Sequence, residues 1–379
     1  MSTLSVEERL DLIKRNTEEI LGEDDLIKLL ENDEPLKHYI GFEISGRIHI
    51  GTGLMCMSKV RDFMNAGVQC SIFLADWHSW INDKLGGDLD VIKEASNYFK
   101  EGLKASLRAV GGDPDKVNFV LGTDLYHNAD DYWACVIDIS KHTTLNRVLR
   151  STTIMGRKEG ENIDFAKLIY PPMQVADIFY QGVNLAHAGL DQRKAHVIAR
   201  DCAMQLKVKP LLNSKGEQIK PVAVHHHLLL GLQKPPKIPE TKEEMQELLS
   251  TMKMSKSIPD SAIFVTDEPE VIKKKLQKAF CPERNVDFNP VLDWTKSLIF
   301  RDEQSVLEIT RPEKYGGDKA YESYNALVDD FIAGALHPAD LKSAVVTAIT
   351  TMLEPIREHF NEPEMQRMKE RMDEMTITR

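Results

Sequence analysis

From residue 37 to about residue 230 the chain alternates short apolar runs with Gly-containing turns and longer amphipathic stretches. That is the pattern of a parallel sheet whose strands are linked by helices. HYIGFEI reads as the first strand, GTGLMCMSKVRDFMNAG as the helix after it, and QCSIFLAD as the next strand. A further helix, DLDVIKEASNYFKEGLKASLRAVGG, leads into the strand KVNFVLGTD. Three buried strands joined by two helices make the mononucleotide-binding half of a doubly wound fold. Between about Tyr126 and Glu161 the alternation stops, and a mainly helical insertion carries Lys141, Arg147, Arg150, Arg157 and Lys158. It then resumes with LIYPPMQVADIFYQG as helix, NLAHAG as a short strand, DQRKAHVIARDCAMQLK as helix and PVAVHHHLLL as strand.

Before this region, SVEERLDLIKRNTEEIL spaces its leucines and isoleucines as one helix that packs outside the sheet. After it, residues 233–247 are rich in Pro, Lys and Glu and read as an exposed linker delivering MKMSKS. Beyond Pro269 everything reads as helix or turn. The expected fold is α/β: a Rossmann-like doubly wound parallel sheet with a helical insertion, followed by an all-helical C-terminal domain. The expected boundaries are an N-terminal helical segment at 1–36, a catalytic domain at 37–232 with its insertion at about 126–161, a linker and loop at 233–262, and a helical domain at 263–379.

A chain of 379 residues with 42% hydrophobic and 28% charged residues is ordinary globular composition, long enough for two cores. No apolar stretch approaches 18 residues and the N-terminus is charged, so neither export nor a membrane is expected and the cytoplasm is. The five cysteines are scattered without metal-ligand spacing and read as reduced thiols. With 48 basic against 59 acidic residues, a net charge of −11 excludes nonspecific coating of nucleic acid, so any RNA site must be local.

Two motifs carry phosphate chemistry. Gly41 to Gly53, GFEISGRIHIGTG, lies between the first strand and its helix, where open α/β sheets bind ligands. Gly46, Gly51 and Gly53 let backbone approach a nucleotide, and His49 offers a donor for charge developing on a phosphate. A tight turn with a surface histidine is the plain alternative. Far downstream, Lys253-Met254-Ser255-Lys256-Ser257 places two lysines where they could clamp the β- and γ-phosphates of ATP. Three consecutive histidines, 225–227, alternate faces on a strand and so cannot share one ion; a nucleotide-side or structural role is the better reading, and no metal site is expected.

Together the two motifs resemble the paired "HIGH" and "KMSKS" signatures of the class I aminoacyl-tRNA synthetases, with Thr52 where the second histidine is usual. HYIGFEISG, LADWHSWIN, IYPPMQVADIFYQGV and AGLDQRKAHVIAR further resemble the tyrosyl branch of archaea and eukaryotes over nearly the whole chain. The resemblance implies His49, Thr52, Lys253 and Lys256 as catalytic residues, and Gly46, Gly51, Gly53 and Ser257 with them as the ATP site. It implies Tyr39, Tyr170, Gln174, Asp177 and Gln192 as the tyrosine site. The spacing agrees, since Tyr170, Gln174 and Asp177 at i, i+4 and i+7 share one helix face. Asp177 can accept from a phenol, although a carboxylate that caps or salt-bridges on a solvated face is the alternative. The resemblance also implies ATP with Mg²⁺ as substrate, no tightly bound cofactor, and a homodimer formed through the insertion. It places Arg150 and Arg193 on the tRNA acceptor stem, and Tyr315, His337 and Asp340 on the anticodon. Surface arginines that aid solubility are the alternative reading of Arg150 and Arg193. A tryptophanyl-tRNA synthetase or an inactive tRNA-binding paralogue are the competing readings; Tyr39 with Asp177 favours a phenol over an indole.

Overall fold

The computed structural model describes residues 4–157, 160–236, 252, 254, 259–302 and 304–377. Six strands form one sheet: β1 (Thr17–Leu21), β2 (Lys37–Phe42), β3 (Gln69–Leu74), β4 (Asn118–Leu121), β5 (Leu185–Gly189) and β6 (Val222–His226), in the order β1-β6-β5-β2-β3-β4. All neighbours pair in parallel except β1, which runs antiparallel to β6. The doubly wound reading therefore holds. β2 leads to β3 on one side and β5 to β6 on the other, so the strand order reverses between β2 and β5.

The expected N-terminal helix is corrected. Helix Val6–Lys14 starts with a capping box in which the Ser5 hydroxyl accepts from Glu8 N–H and the Glu8 carboxylate accepts from Ser5 N–H. It ends early because Lys59, buried beneath it, donates to the carbonyls of Ile13 (2.5 Å) and Arg15 (2.6 Å). Asn16 then takes a positive φ of 51°, and residues 17–21 become the sheet's edge strand. Gly22 follows at φ +87°, in a space where a Cβ would meet the Arg200 guanidinium at 2.2 Å.

Helices Asp130–Lys141 and Leu145–Ser151 lie in the region read as the insertion. The C-terminal region is mostly helical, its longest element being Pro338–Phe360, but it is not wholly so. Leu307–Ile309 (β7) and Lys319–Tyr321 (β8) pair as a small antiparallel ladder, too short for hydrophobic periodicity to reveal.

A buried ion cluster ties the first helix's end at Arg15 and residues 61–62 to Arg301 in the C-terminal region. Asp62, fully buried, accepts from Arg301, and its other oxygen faces Arg61 at 3.3 Å and Arg15 at 3.6 Å. Burial lowers the Arg301 pKa to about 10, so removing its carboxylate strands a charge away from water. Asp62→Ala is expected to cost about 3–5 kcal/mol in urea unfolding; a change inside ±0.5 kcal/mol would show that the cluster holds nothing together.

Candidate active site

A cavity of about 500 Å³ opens where β2 and β5 part. The two strands pair only at His38 with Leu185 and Tyr39 with Ala186. Beyond that point β2 follows β3 and β5 follows β6, leaving a crevice at their carboxyl ends. Glu43 and Ser45 continue from β2 into one wall, and Asp191 and Gln192 from β5 into the other.

The crevice floor is built around Asp177, only 1% exposed, on helix Ala166–Tyr180. Its Oδ1 accepts from the hydroxyls of Tyr126 (2.9 Å) and Tyr132 (3.0 Å). Its Oδ2 is buried without a hydrogen-bond partner. Burial raises the carboxyl pKa to about 8, against the lowering effect of the two tyrosines. His78 Nε2 stands 3.6 Å from Oδ2, and neither His78 ring nitrogen has a hydrogen-bond partner. Burial lowers the His78 pKa to about 3, so the contact joins a neutral imidazole to a carboxyl group and is not an ion pair. Tyr39 lines the same floor; burial, reinforced by Asp177, pushes its phenol pKa well above its ordinary value. The floor therefore holds unpaired polar atoms among apolar neighbours, an arrangement that costs free energy unless a polar group enters.

One helical turn earlier, the Gln174 amide donates to Gln192 Oε1 (3.2 Å), and Gln192 donates to the Ile154 carbonyl (2.9 Å). Gln174 Oε1 is buried and unpaired. Tyr170 donates to Glu43 (2.9 Å), which also accepts from Asn82 (2.8 Å) and faces Lys84 Nζ at 3.3 Å. Tyr39, Tyr170, Gln174, Asp177 and Gln192 thus line one cavity. Asp177 is no solvated cap. His78, Glu43, Tyr126 and Tyr132 were not among the expected site residues. The two tyrosines sit at the start of the insertion, where their spacing of six carries no signal of a shared target.

At the other end of the cavity lie His49, Gly51, Thr52, Cys56, His226, His227, Leu229 and Met254. The glycine turn is gripped by the chain that follows the second signature: Ile50 N–H donates to Ile263 O (2.9 Å) and Val265 N–H to Ile48 O (2.9 Å). Thr52 N–H points at both the carbonyl (3.0 Å) and Nδ1 (3.3 Å) of His49. A π-helical turn, Gly51–Cys56, opens the helix that follows. Gly46 turns the chain at φ +111°, and Gly53 packs where a Cβ would meet Val265 Cγ1 at 2.4 Å; neither lines the cavity. Lys253, Lys256 and Ser257 lie outside the described residues. Met254 is described, and its Cε would stand 3.1 Å from a Cβ placed on Gly51.

The three histidines each find different partners. His226 lies 2.8 Å from His187 and 3.4 Å from Cys56 Sγ, and His187 lies 3.0 Å from His38. His225 contacts His196 (2.9 Å) and Glu19 (3.0 Å). Among the described residues no group of three or more His, Cys, Asp or Glu is arranged to hold a metal ion.

The family model described as tRNA synthetases class I (W and Y) matches residues 31–354. The chain belongs to this family. It is 59% identical to the tyrosine–tRNA ligase of Thermococcus kodakarensis, over 99% of this chain and 100% of that one. Among solved structures, tyrosyl-tRNA synthetase from Pyrococcus horikoshii, complexed with L-tyrosine, superposes with a TM-score of 0.93 at 57% identity, covering 97% of this chain and 100% of the other. The Aeropyrum pernix tyrosyl-tRNA synthetase gives 0.82 at 38% identity, covering 98% and 100%.

Residues expected to meet RNA lie apart from the cavity floor. Arg150 is exposed, and Lys194 donates to its carbonyl (2.8 Å), so Arg150 and Arg193 sit at adjacent helix ends; Arg193 pairs with Glu19 at 2.8 Å. Tyr315 is 62% exposed. Arg311 donates to the carbonyls of Gly317 (2.9 Å) and Ala335 (2.7 Å), which draws the Tyr315 loop toward His337 and Asp340.

The raised pKa of Asp177 has a stability consequence. Its folded value, about 8, exceeds its ordinary 3.8, so the folded chain binds this proton more tightly and loses stability as pH rises between the two. Asp177→Asn removes that slope. The variant is expected to gain in urea midpoint relative to the parent between about pH 5 and pH 8; a constant difference across that window would refute a buried, proton-holding carboxyl.

Proposed function

We propose that the chain is a tyrosine–tRNA ligase: it activates L-tyrosine with ATP and transfers it to the 3′ end of its tRNA. The observation that carries this reading is the unpaired Asp177 Oδ2 on the crevice floor, beside Tyr39 and His78. A phenol hydroxyl entering there satisfies that carboxyl oxygen, with Tyr39 as its second partner. Gln174 Oε1, Gln192 and the Tyr170 hydroxyl receive the α-ammonium group one helical turn higher. An indole offers its N–H at a different depth and leaves the floor unsatisfied.

The substrate carboxylate is then directed toward the nucleotide end. It attacks the α-phosphorus of ATP in line; a carboxylate oxygen–phosphorus bond forms, the bond from the α-phosphorus to the α,β-bridging oxygen breaks, and pyrophosphate leaves. The carboxylate is already ionised near pH 7, so no protein base is required, and rate comes from positioning and from cationic and N–H donors around the phosphates. His49, Thr52 and Gly51 approach the triphosphate from one side, with Lys253, Lys256 and Ser257 assigned to the other. Gly46 and Gly53 act indirectly, by shaping the turn. ATP enters as its Mg²⁺ complex. A terminal ribose hydroxyl of the tRNA then attacks the aminoacyl carbonyl and releases AMP.

Arg150 and Arg193 receive the acceptor stem, while Tyr315, His337 and Asp340 read the anticodon. In the assembly we propose, two copies meet through the insertion, whose helices expose Ile137, Leu145 and Leu149. No described helix is long and apolar enough to cross a membrane, and we assign the chain to the cytoplasm.

Pyrophosphate exchange with tyrosine, tryptophan and phenylalanine tests the reading: only tyrosine is expected to drive it well, and equal or better exchange with tryptophan would overturn it. In the same assay Asp177→Ala is expected to raise the KM for tyrosine and to erode discrimination against phenylalanine by roughly 10- to 100-fold, the cost of leaving a buried phenol hydroxyl without its hydrogen-bond partner. A site built around a substrate hydroxyl rejects the analogue lacking it, and tyrosine over phenylalanine in this enzyme family is the standard illustration of that rule. Unchanged kinetics on both amino acids would remove Asp177 from the pocket.

A further inference from the structure

His227 is the one member of the histidine run that both lines the cavity and reaches the C-terminal region. Its Nδ1 lies 2.7 Å from Glu18 Oε1 on the edge strand and its Nε2 lies 2.6 Å from Asp293 Oδ1 on helix Pro290–Trp294. Both ring nitrogens face carboxylates, so both must donate, and the ring is a cation. Burial opposes that charge, but Asp293 and Glu18 outweigh it and raise the pKa to about 10.

Asp293 does more than face the ring. Its second oxygen accepts from Leu230 N–H (2.9 Å), and its neighbour Trp294 donates its indole N–H to Leu230 O (2.8 Å). Residues 228–232 are therefore pinned between an imidazolium at one end and a helix at the other. That pinned segment carries the second signature on either side of its first lysine. Gly231 N–H donates to Met252 O (2.5 Å), and Met254 N–H donates to Leu229 O (3.3 Å). Met254 in turn touches the glycine turn at Gly51.

We infer that His227 and Asp293 form a clamp that sets where Met252 and Met254 lie against the glycine turn at the proposed ATP end of the cavity, with His227 and Asp293 as positioning residues and the C-terminal region as part of that end's scaffold. This deepens the reading above and rests on it for the identity of the nucleotide. The tyrosine end of the cavity is fixed by other contacts, those of Asp177, Tyr126, Tyr132, Gln174 and Glu43, so loss of the clamp separates the two substrates. His227→Gln leaves a single amide donor group that cannot serve both carboxylates, and Asp293→Asn leaves one acceptor where the ring and the Leu230 amide need two.

Three measurements on the full-length chain decide the matter. Amide hydrogen exchange at Gly231 and Met254 is expected to quicken about tenfold or more in both variants, while the amides of Asn118–Leu121 keep the parent's rates. Mg-ATP affinity by calorimetry, and the KM for ATP in pyrophosphate exchange, are expected to weaken on the order of 10- to 100-fold, with tyrosine affinity and KM within about twofold. The double variant is expected to lose little more than either single one, as two halves of one device do. Unchanged exchange at both amides would overturn the clamp. So would ATP and tyrosine affinities falling together, because that is what a merely structural role gives. A parent chain that catalyses no tyrosine-dependent exchange, with the variants still losing ATP affinity and amide protection, would overturn the functional reading while the clamp stands.

Discussion

The pairing of β2 with β5, and its early end, is the constraint on which the site depends. Two residue pairs hold the strands together, after which each follows a different neighbour. Strands that diverge at their carboxyl ends leave a crevice whose walls are the first residues of two loops, with Glu43 on one wall and Gln192 on the other. The apolar sheet beneath makes the floor a poor solvent for charge, which is why the environment of Asp177 is so unlike that of a surface carboxylate.

In the proposed role, that floor trades stability for selectivity. A buried carboxyl oxygen, a buried imidazole and a buried amide oxygen without partners are each unfavourable. The surrounding structure tolerates them because Tyr126 and Tyr132 hold the other half of the carboxyl, and because the core around Phe73, Met173 and Phe179 is well buried. The same logic runs through the buried histidines: His38, His187 and His226 form one chain across β2, β5 and β6, and His225 pairs with His196 on the opposite face, so these polar rings still pack in the interior.

The other end of the cavity, assigned above to the nucleotide, is held differently. Its walls are turns and loop backbone, and their positions are set by hydrogen bonds from residues distant in sequence. The 263–265 segment grips the glycine turn, and Asp293 grips the chain near the lysine signature. A cavity with one rigid end and one end built from gripped loops suits a reaction in which a small amino acid is selected by fit and a polyphosphate must enter and leave.

Much of this was legible in the chain itself. Alternating apolar runs and amphipathic stretches determine the parallel sheet, because strand and helix periodicities are local properties. The i, i+4, i+7 spacing puts Tyr170, Gln174 and Asp177 on one helix face, and a Gly-rich turn after the first strand places His49 at the ligand edge. Only the tertiary structure decided what is non-local. Residues 17–21 carry no stronger strand pattern than helix pattern; they become β1 because β6 offers an unpaired edge and Lys59 stops the helix before them. Tyr126, Tyr132 and His78 converge on Asp177 through packing of separate helices, which no spacing within a segment encodes. A run of three histidines specifies only that neighbours face opposite ways; that one of them becomes a cation between two carboxylates follows from where the chain's ends come to lie.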